Sequence, residues 1–147
     1  METTRDAELT ELAARLRLAI TRTARRMRQE AGEGLSPTLT AALATIERNG
    51  PLTPSELAEL ERIKRPSATR IIGQLTDAGL VTKAPDPTDG RACLVSVSAE
   101  GKALLRRLRK RKNAYISRRL RELDPADHAA LERAAELLEQ MLEGDAA

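Results

Sequence analysis

The sequence predicts a mainly helical α+β fold in the order ααααββαα. Three observations carry that prediction. Apolar residues recur at spacings of three and four in six separate segments. Between Val81 and Ser98 the period drops to two. The joints between segments carry residues that cap, break or turn a chain.

The first helix runs from Thr4 to about Glu30, with Leu9, Leu12, Ala13, Leu16, Ile20, Ala24 and Met27 in one stripe. Gly32 and Gly34 end it. Ser36-Pro37 starts the second helix, because Ser caps and Pro suits the first helical position. Leu39, Ala42, Leu43 and Ile46 form its inner face, and Asn49-Gly50-Pro51 stops it. Thr53-Pro54-Ser55-Glu56 is a capping box for a short third helix that buries Leu57, Ala58 and Leu60. After a turn at Glu61 to Lys64, Pro66 opens a fourth helix with Ala68, Ile71, Ile72, Leu75 and Ala78 inside, and Gly79 ends it.

Val81 to Ala84 and Arg91 to Ser98 read as two strands around a tip of Pro85-Asp86-Pro87-Thr88-Asp89-Gly90. A long fifth helix starts at Ser98 or Ala99 and runs to about Leu123. Leu104, Leu105, Leu108, Tyr115, Ile116 and Leu120 mark its buried side. Asp124-Pro125 breaks it and caps a sixth helix, with Leu131, Ala135, Leu138 and Leu142 inward.

A chain of 147 residues, 41% hydrophobic and 32% charged, has a globular composition and room for one domain or two small modules. Tyr115 is its only aromatic residue, so the core rests on small aliphatic side chains that each bury little area. Much of the burial is therefore expected at a subunit interface. Charge is segregated. Arg62 to Arg121 holds sixteen Lys or Arg against four Asp or Glu, and the remainder holds nine against eighteen. That distribution suits one surface facing a polyanion.

The single Cys93 and single His128 argue against a disulfide and against a Cys/His metal site. No phosphate-cradling loop, nucleophile elbow or paired catalytic base is present, so neither an enzyme nor a cofactor is expected. No apolar segment suggests a signal peptide or membrane span, which makes the cytoplasm the expected location.

Two short helices joined by a tight turn form a helix-turn-helix, whose second helix fits the major groove. The outward face of that helix carries Pro66, Thr69, Arg70 and Gly73, flanked by Ser67 and Gln74 and preceded by Lys64 and Arg65. Arg can bond guanine, Gln can bond adenine, and hydroxyls can bond bases or phosphate. Gly73 would let the helix approach closely. Ser55 and Lys83 join these as candidate DNA contacts, and Arg91 follows the hairpin tip. The run Arg106-Arg107-Leu108-Arg109-Lys110-Arg111-Lys112 fits either a further phosphate contact or a solvated helix face; it wraps the helix, so it cannot all meet DNA.

The stretches KRPSATRIIGQLTDAGLV (Lys64 to Val81) and DPTDGRACLVSVSAEGKALL (Asp86 to Leu105) resemble the MarR family of bacterial regulators. The resemblance implies a winged helix-turn-helix lobe over residues 35–98. It implies a helical dimerisation region over 1–34 and 99–147, with Leu9, Leu12, Leu16, Ile116, Leu120, Leu131 and Leu138 at the interface. It places Ser67, Thr69 and Arg70 on the recognition helix and Arg91 in the minor groove, with Asp89 supporting the wing. The implied partners are double-stranded DNA, a second copy of the chain and a small-molecule effector that releases a repressor from a pseudo-palindromic operator. An architectural DNA-binding dimer without an effector is the alternative. Two departures stand out. The helix-turn-helix turn often carries Gly, where this chain has Glu61-Arg62-Ile63. Redox-sensing members have a Cys in the first helix, whereas Cys93 lies on a strand and reads as a small core thiol.

Overall fold

The computed structural model describes residues 2–32 and 34–146. Its elements follow the expected order: α1 (Glu2–Ala31), α2 (Pro37–Asn49), α3 (Pro54–Glu61), α4 (Arg65–Asp77), β1 (Val81–Pro85), β2 (Cys93–Val97), α5 (Ala99–Leu120) and α6 (Pro125–Ala146). The chain divides into two compact units. One comprises Met1–Glu30 with Arg111–Ala147, and the other Ala31–Lys110.

In the Ala31–Lys110 unit the local signals act as read. Ser36 Oγ accepts the Leu39 N–H at 3.2 Å and starts α2. At α3 the capping box closes both ways. Thr53 Oγ1 accepts the Glu56 N–H, and Glu56 Oε1 accepts the Thr53 N–H, each at 3.2 Å. The core joins Leu43 and Ile46 of α2, Leu57 of α3, Ile72 and Leu75 of α4, Val95 of β2 and Leu105 of α5, all at most 2% exposed. A buried Leu truncated to Ala in such a core costs about 2–5 kcal/mol.

The hairpin is antiparallel, with Val81 opposite Val97 and Pro85 opposite Cys93. Leu52, between α2 and α3, adds a bridge to it. Its N–H donates to the Val95 carbonyl at 3.1 Å, and the Val95 N–H donates back at 2.7 Å. Gly101 then lets α5 pass against the hairpin. A Cβ there would stand 2.3 Å from the Leu80 carbonyl oxygen and 2.8 Å from Val97 Cγ2. Ser98 locks this junction, donating to the Gly79 carbonyl at 2.7 Å and accepting the Gly101 N–H at 3.0 Å.

Four local expectations need correction. Leu60 is 52% exposed, because an eight-residue helix turns only one narrow face to the core. Ala78 is exposed, because α4 ends at Asp77 and Ala78 already lies in the C-terminal turn. The second strand starts at Cys93, not Arg91, because the Ala92 N–H donates to the Asp89 carbonyl at 3.0 Å and keeps the tip turning. Helix α5 stops at Leu120; Glu122 and Leu123 donate to carbonyls three residues back, a tight final turn before Asp124.

In the other unit, Asp124 Oδ1 accepts the Asp127 N–H at 2.9 Å and caps α6 as expected. Its apolar stripes are not covered within one chain. Leu9, Leu12 and Leu16 of α1 are 55%, 50% and 42% exposed, and Leu131 and Leu142 of α6 are 46% and 69% exposed. Ile116, Leu120 and Leu138 are half-buried.

Candidate nucleic-acid interface

The turn between α3 and α4 sets the aim of α4. Arg62 there has φ 54° and ψ 46°, the left-handed conformation that glycine adopts without steric cost. The Arg62 N–H reaches the Glu59 carbonyl at 3.2 Å, and the Ile63 N–H reaches the Ala58 carbonyl at 2.9 Å. These two bonds form a Schellman motif, so the expected turn is made with arginine in the usual glycine position. Ile63 packs against the core beside it. Glu61 is held by the buried Thr45, whose hydroxyl donates to its carboxylate.

Helix α4 then buries Ala68, Ile71, Ile72 and Leu75. The 3.6-residue period puts Thr69, Arg70 and Gln74 outside, and all three are exposed, as are Lys64 and Arg65 at its start. Ser67 is half-buried, and Ser55 is exposed on α3. No side chain caps the N-terminus of α4. Its free N–H groups and the two cations beside them make that end favourable for a phosphate oxygen. Gly73 is central on the outer face, and a Cβ built there meets nothing within 4 Å.

The wing is ordered by its own carboxylates. Asp89 Oδ1 accepts the Arg91 N–H at 3.0 Å, so it supports the tip through backbone rather than through the guanidinium. Asp86, not singled out from the sequence, does more. Its Oδ1 accepts the Thr88 N–H at 2.9 Å and the Thr88 hydroxyl at 2.8 Å, and its own N–H donates to the Ala92 carbonyl at 3.1 Å. The Thr88 N–H, then the Thr88 hydroxyl, hold the Asp86 carboxyl below the usual aspartate range. Arg91 and Lys83 are exposed and border one shallow cleft. Cys93 is half-buried and packs against the core from β2.

An exposed cationic and hydroxyl-bearing second helix, followed directly by a pinned hairpin with an arginine at its tip, defines a winged helix-turn-helix DNA-binding protein. Comparison with known proteins agrees. The MarR family model matches residues 33–92. An uncharacterized HTH-type transcriptional regulator of Mycobacterium bovis is 38% identical over 128 residues, covering 86% of this chain and 90% of its own. One of Mycobacterium leprae is 37% identical over 133 residues, covering 90% and 93%. Among solved structures, a Pseudomonas aeruginosa protein described as a transcriptional regulator superposes with a TM-score of 0.83 at 31% identity, covering 92% of this chain and 96% of that one. The multiple antibiotic resistance repressor MarR shares the fold, with a TM-score of 0.72 at 21% identity over 89% of this chain and 94% of its own. The chain belongs to the MarR family of DNA-binding transcriptional regulators, and it is not an enzyme.

Two further features bear on function. In the unit of α1, α6 and the end of α5, a cavity of about 600 Å³ is lined by Arg22, Arg25, Arg26, Arg118, Arg119 and Tyr115. Glu30 shares Arg26 at 3.4 Å and Arg118 at 3.6 Å, and Arg118 lies over the Tyr115 ring at 5.7 Å. Among the described residues, no helix is long and apolar enough to cross a membrane, and no group of three acidic, His or Cys side chains could hold a metal ion.

Proposed function

We propose that this protein is a homodimeric, cytoplasmic repressor that binds a pseudo-palindromic operator and is released by a small anionic effector. The observation that carries the reading is the row of leucines left exposed on α1 and α6 of one chain. A monomer rarely leaves such a row in water, and a second copy would bury it. In this reading residues 1–34 and 99–147 form the dimerisation region, with Ile116, Leu120 and Leu138 completing the interface. Residues 35–98 form the DNA-binding lobe. A two-fold dimer would place two copies of α4 about 34 Å apart, one turn of duplex. Ser67, Thr69, Arg70 and Gln74 would read bases, Lys64, Arg65, Ser55 and Lys83 would hold phosphates, and Arg91 would enter the minor groove.

The effector reading rests on the arginine-lined cavity, whose size suits a small ligand and whose charge favours an organic anion. The direct test is light scattering of the free protein together with footprinting of the promoter beside its gene. The reading expects a dimer and two protected half-sites one turn apart, with protection lost on adding the effector. A folded monomer, or protection that ignores sequence, would count against it. The second outcome would favour an architectural DNA-binding protein, the reading to which the basic run of α5 lends most support. Specific regulators prefer their sites over random DNA by roughly 10³ to 10⁷.

A further inference from the structure

The most concentrated positive charge in the molecule lies outside the helix-turn-helix and wing. Six of the seven residues from Arg106 to Lys112 are cationic, and Glu100 is the only acid in α5. Packing separates these cations. Gly101, Leu105 and Leu108 are buried, which turns Arg106, Arg107 and Lys110 to the opposite side of the helix, and all three are exposed. Arg109 leaves the set by pairing with Glu47 of α2 at 2.8 Å. Lys112 is half-buried.

Some of the other surface arginines are paired with a carboxylate, whereas Arg5, Arg15 and Arg17 of α1 are exposed without an ion pair among the described residues. Arg26 pairs with Glu30 on α1, and Arg133 pairs with Glu136 on α6. Arg118 and Arg119, at the far end of α5, reach Glu30 and Glu122. Arg106, Arg107 and Lys110 have no carboxylate partner among the described residues. Lys110 also stands four positions from Arg106 and three from Arg107, where like charges repel along a helix. A face kept only for solubility would intersperse acids. A face that tolerates this repulsion in the free protein is suited to an external polyanion. All three lie at the start of the region proposed for dimerisation, yet they fall within the same compact unit as α4 and the wing, Ala31–Lys110, and are carried on that unit.

We propose that Arg106, Arg107 and Lys110 form a second, sequence-independent DNA contact that grips backbone phosphates beyond the base pairs read by α4. The proposal rests on the chain's DNA-binding function and extends it along the duplex. These side chains add affinity and salt sensitivity without adding base preference, because phosphates are the same at every step.

The test uses the full chain and a random-sequence duplex several helical turns long, with affinity measured by fluorescence anisotropy across a salt series. Each phosphate contact contributes about 0.9 to the slope of log affinity against log salt. The variant Arg106→Gln/Arg107→Gln/Lys110→Gln should lose between about two and three from that slope for each chain on the duplex, about five for a dimer that engages it with both chains. A control, Arg5→Gln/Arg15→Gln/Arg17→Gln, removes the same charge from exposed positions of α1 and should leave the slope nearly unchanged. Arg106→Lys/Arg107→Lys should keep the wild-type slope, since a phosphate contact needs the charge and not the guanidinium. Melting curves monitored by circular dichroism verify that all variants fold; glutamine preserves helix propensity at these exposed positions. An α5 variant with the slope of the α1 control would overturn the proposal while leaving DNA binding by α4 intact. Wild-type protein that shows no salt-dependent binding to any duplex would overturn both.

Discussion

At the scale of single residues, two positions in the helix-turn-helix run against their local preference. Gly73 sits in the middle of α4, where Gly is disfavoured relative to Ala by about 1 kcal/mol, yet nothing in the protein occupies the space a Cβ would take. Gly73→Ala should therefore raise stability in a urea titration by about 0.5–1 kcal/mol and weaken operator binding. A gain in stability with unchanged affinity would show that α4 does not approach the groove floor at that point. Arg62 is the converse, a bulky residue held at φ 54° where Gly would be relaxed. Arg62→Gly should stabilise the fold by up to about 1 kcal/mol, because relief of the left-handed strain exceeds the added entropy of the unfolded chain. A loss of stability would instead make the Arg62 side chain an anchor of the turn. The sequence revealed the glycine-free turn but not its conformation. Whether Glu61, Arg62 or Ile63 takes the left-handed position depends on where Ile63 must lie to reach the core.

At the scale of elements, the wing is the piece whose order depends on its own side chains. Asp86 is held in its charged form, so its folded-state pKa lies below the unfolded value. The contribution of the Asp86–Thr88 contacts is thus fully present above the ordinary aspartate range and is lost as pH falls through the lower, folded value. The Thr88 amide resonance should titrate with a midpoint below that range, and Asp86→Asn should abolish the transition. A midpoint at the ordinary value would mean that the contacts do not form in solution. Arg91 makes no side-chain contribution to this turn; Asp89 holds its backbone N–H instead. Arg91→Ala should consequently leave the melting temperature nearly unchanged while weakening binding most on operators with A·T-rich flanks, where a narrow minor groove concentrates negative potential. Equal losses on A·T-rich and G·C-rich flanks would remove the minor-groove role. The hairpin and Asp89 were legible from turn chemistry. Asp86 was not distinguished from the other polar tip residues, since the same composition permits several hydrogen-bond patterns.

At the scale of the whole molecule, the aliphatic composition is divided unevenly. The Ala31–Lys110 unit covers nearly all of its leucines and isoleucines, Leu60 excepted, whereas the unit of α1 and α6 leaves Leu9, Leu12 and Leu131 open to water. Leu12→Asp should dissociate or unfold the protein rather than merely reduce DNA affinity, because a charge would then have to be desolvated at the proposed dimer interface. Sedimentation at micromolar concentration checks this. An intact, folded dimer of the variant would place the interface elsewhere.

The sequence alone determined the order of elements, the capped starts of α2, α3 and α6, and the outward face of α4. These are set by periods of 3.6 and two and by side chains bonding within a few residues of themselves. Tertiary structure decided the rest. It tied Leu52 to Val95, made Gly101 the point where α5 crosses the Leu80 carbonyl, and gave Arg109 to Glu47. Each of these depends on residues distant in the chain meeting in space. Local patterns carry no record of such meetings, because the spacing of a helix says which residues share a face and not what that face will touch.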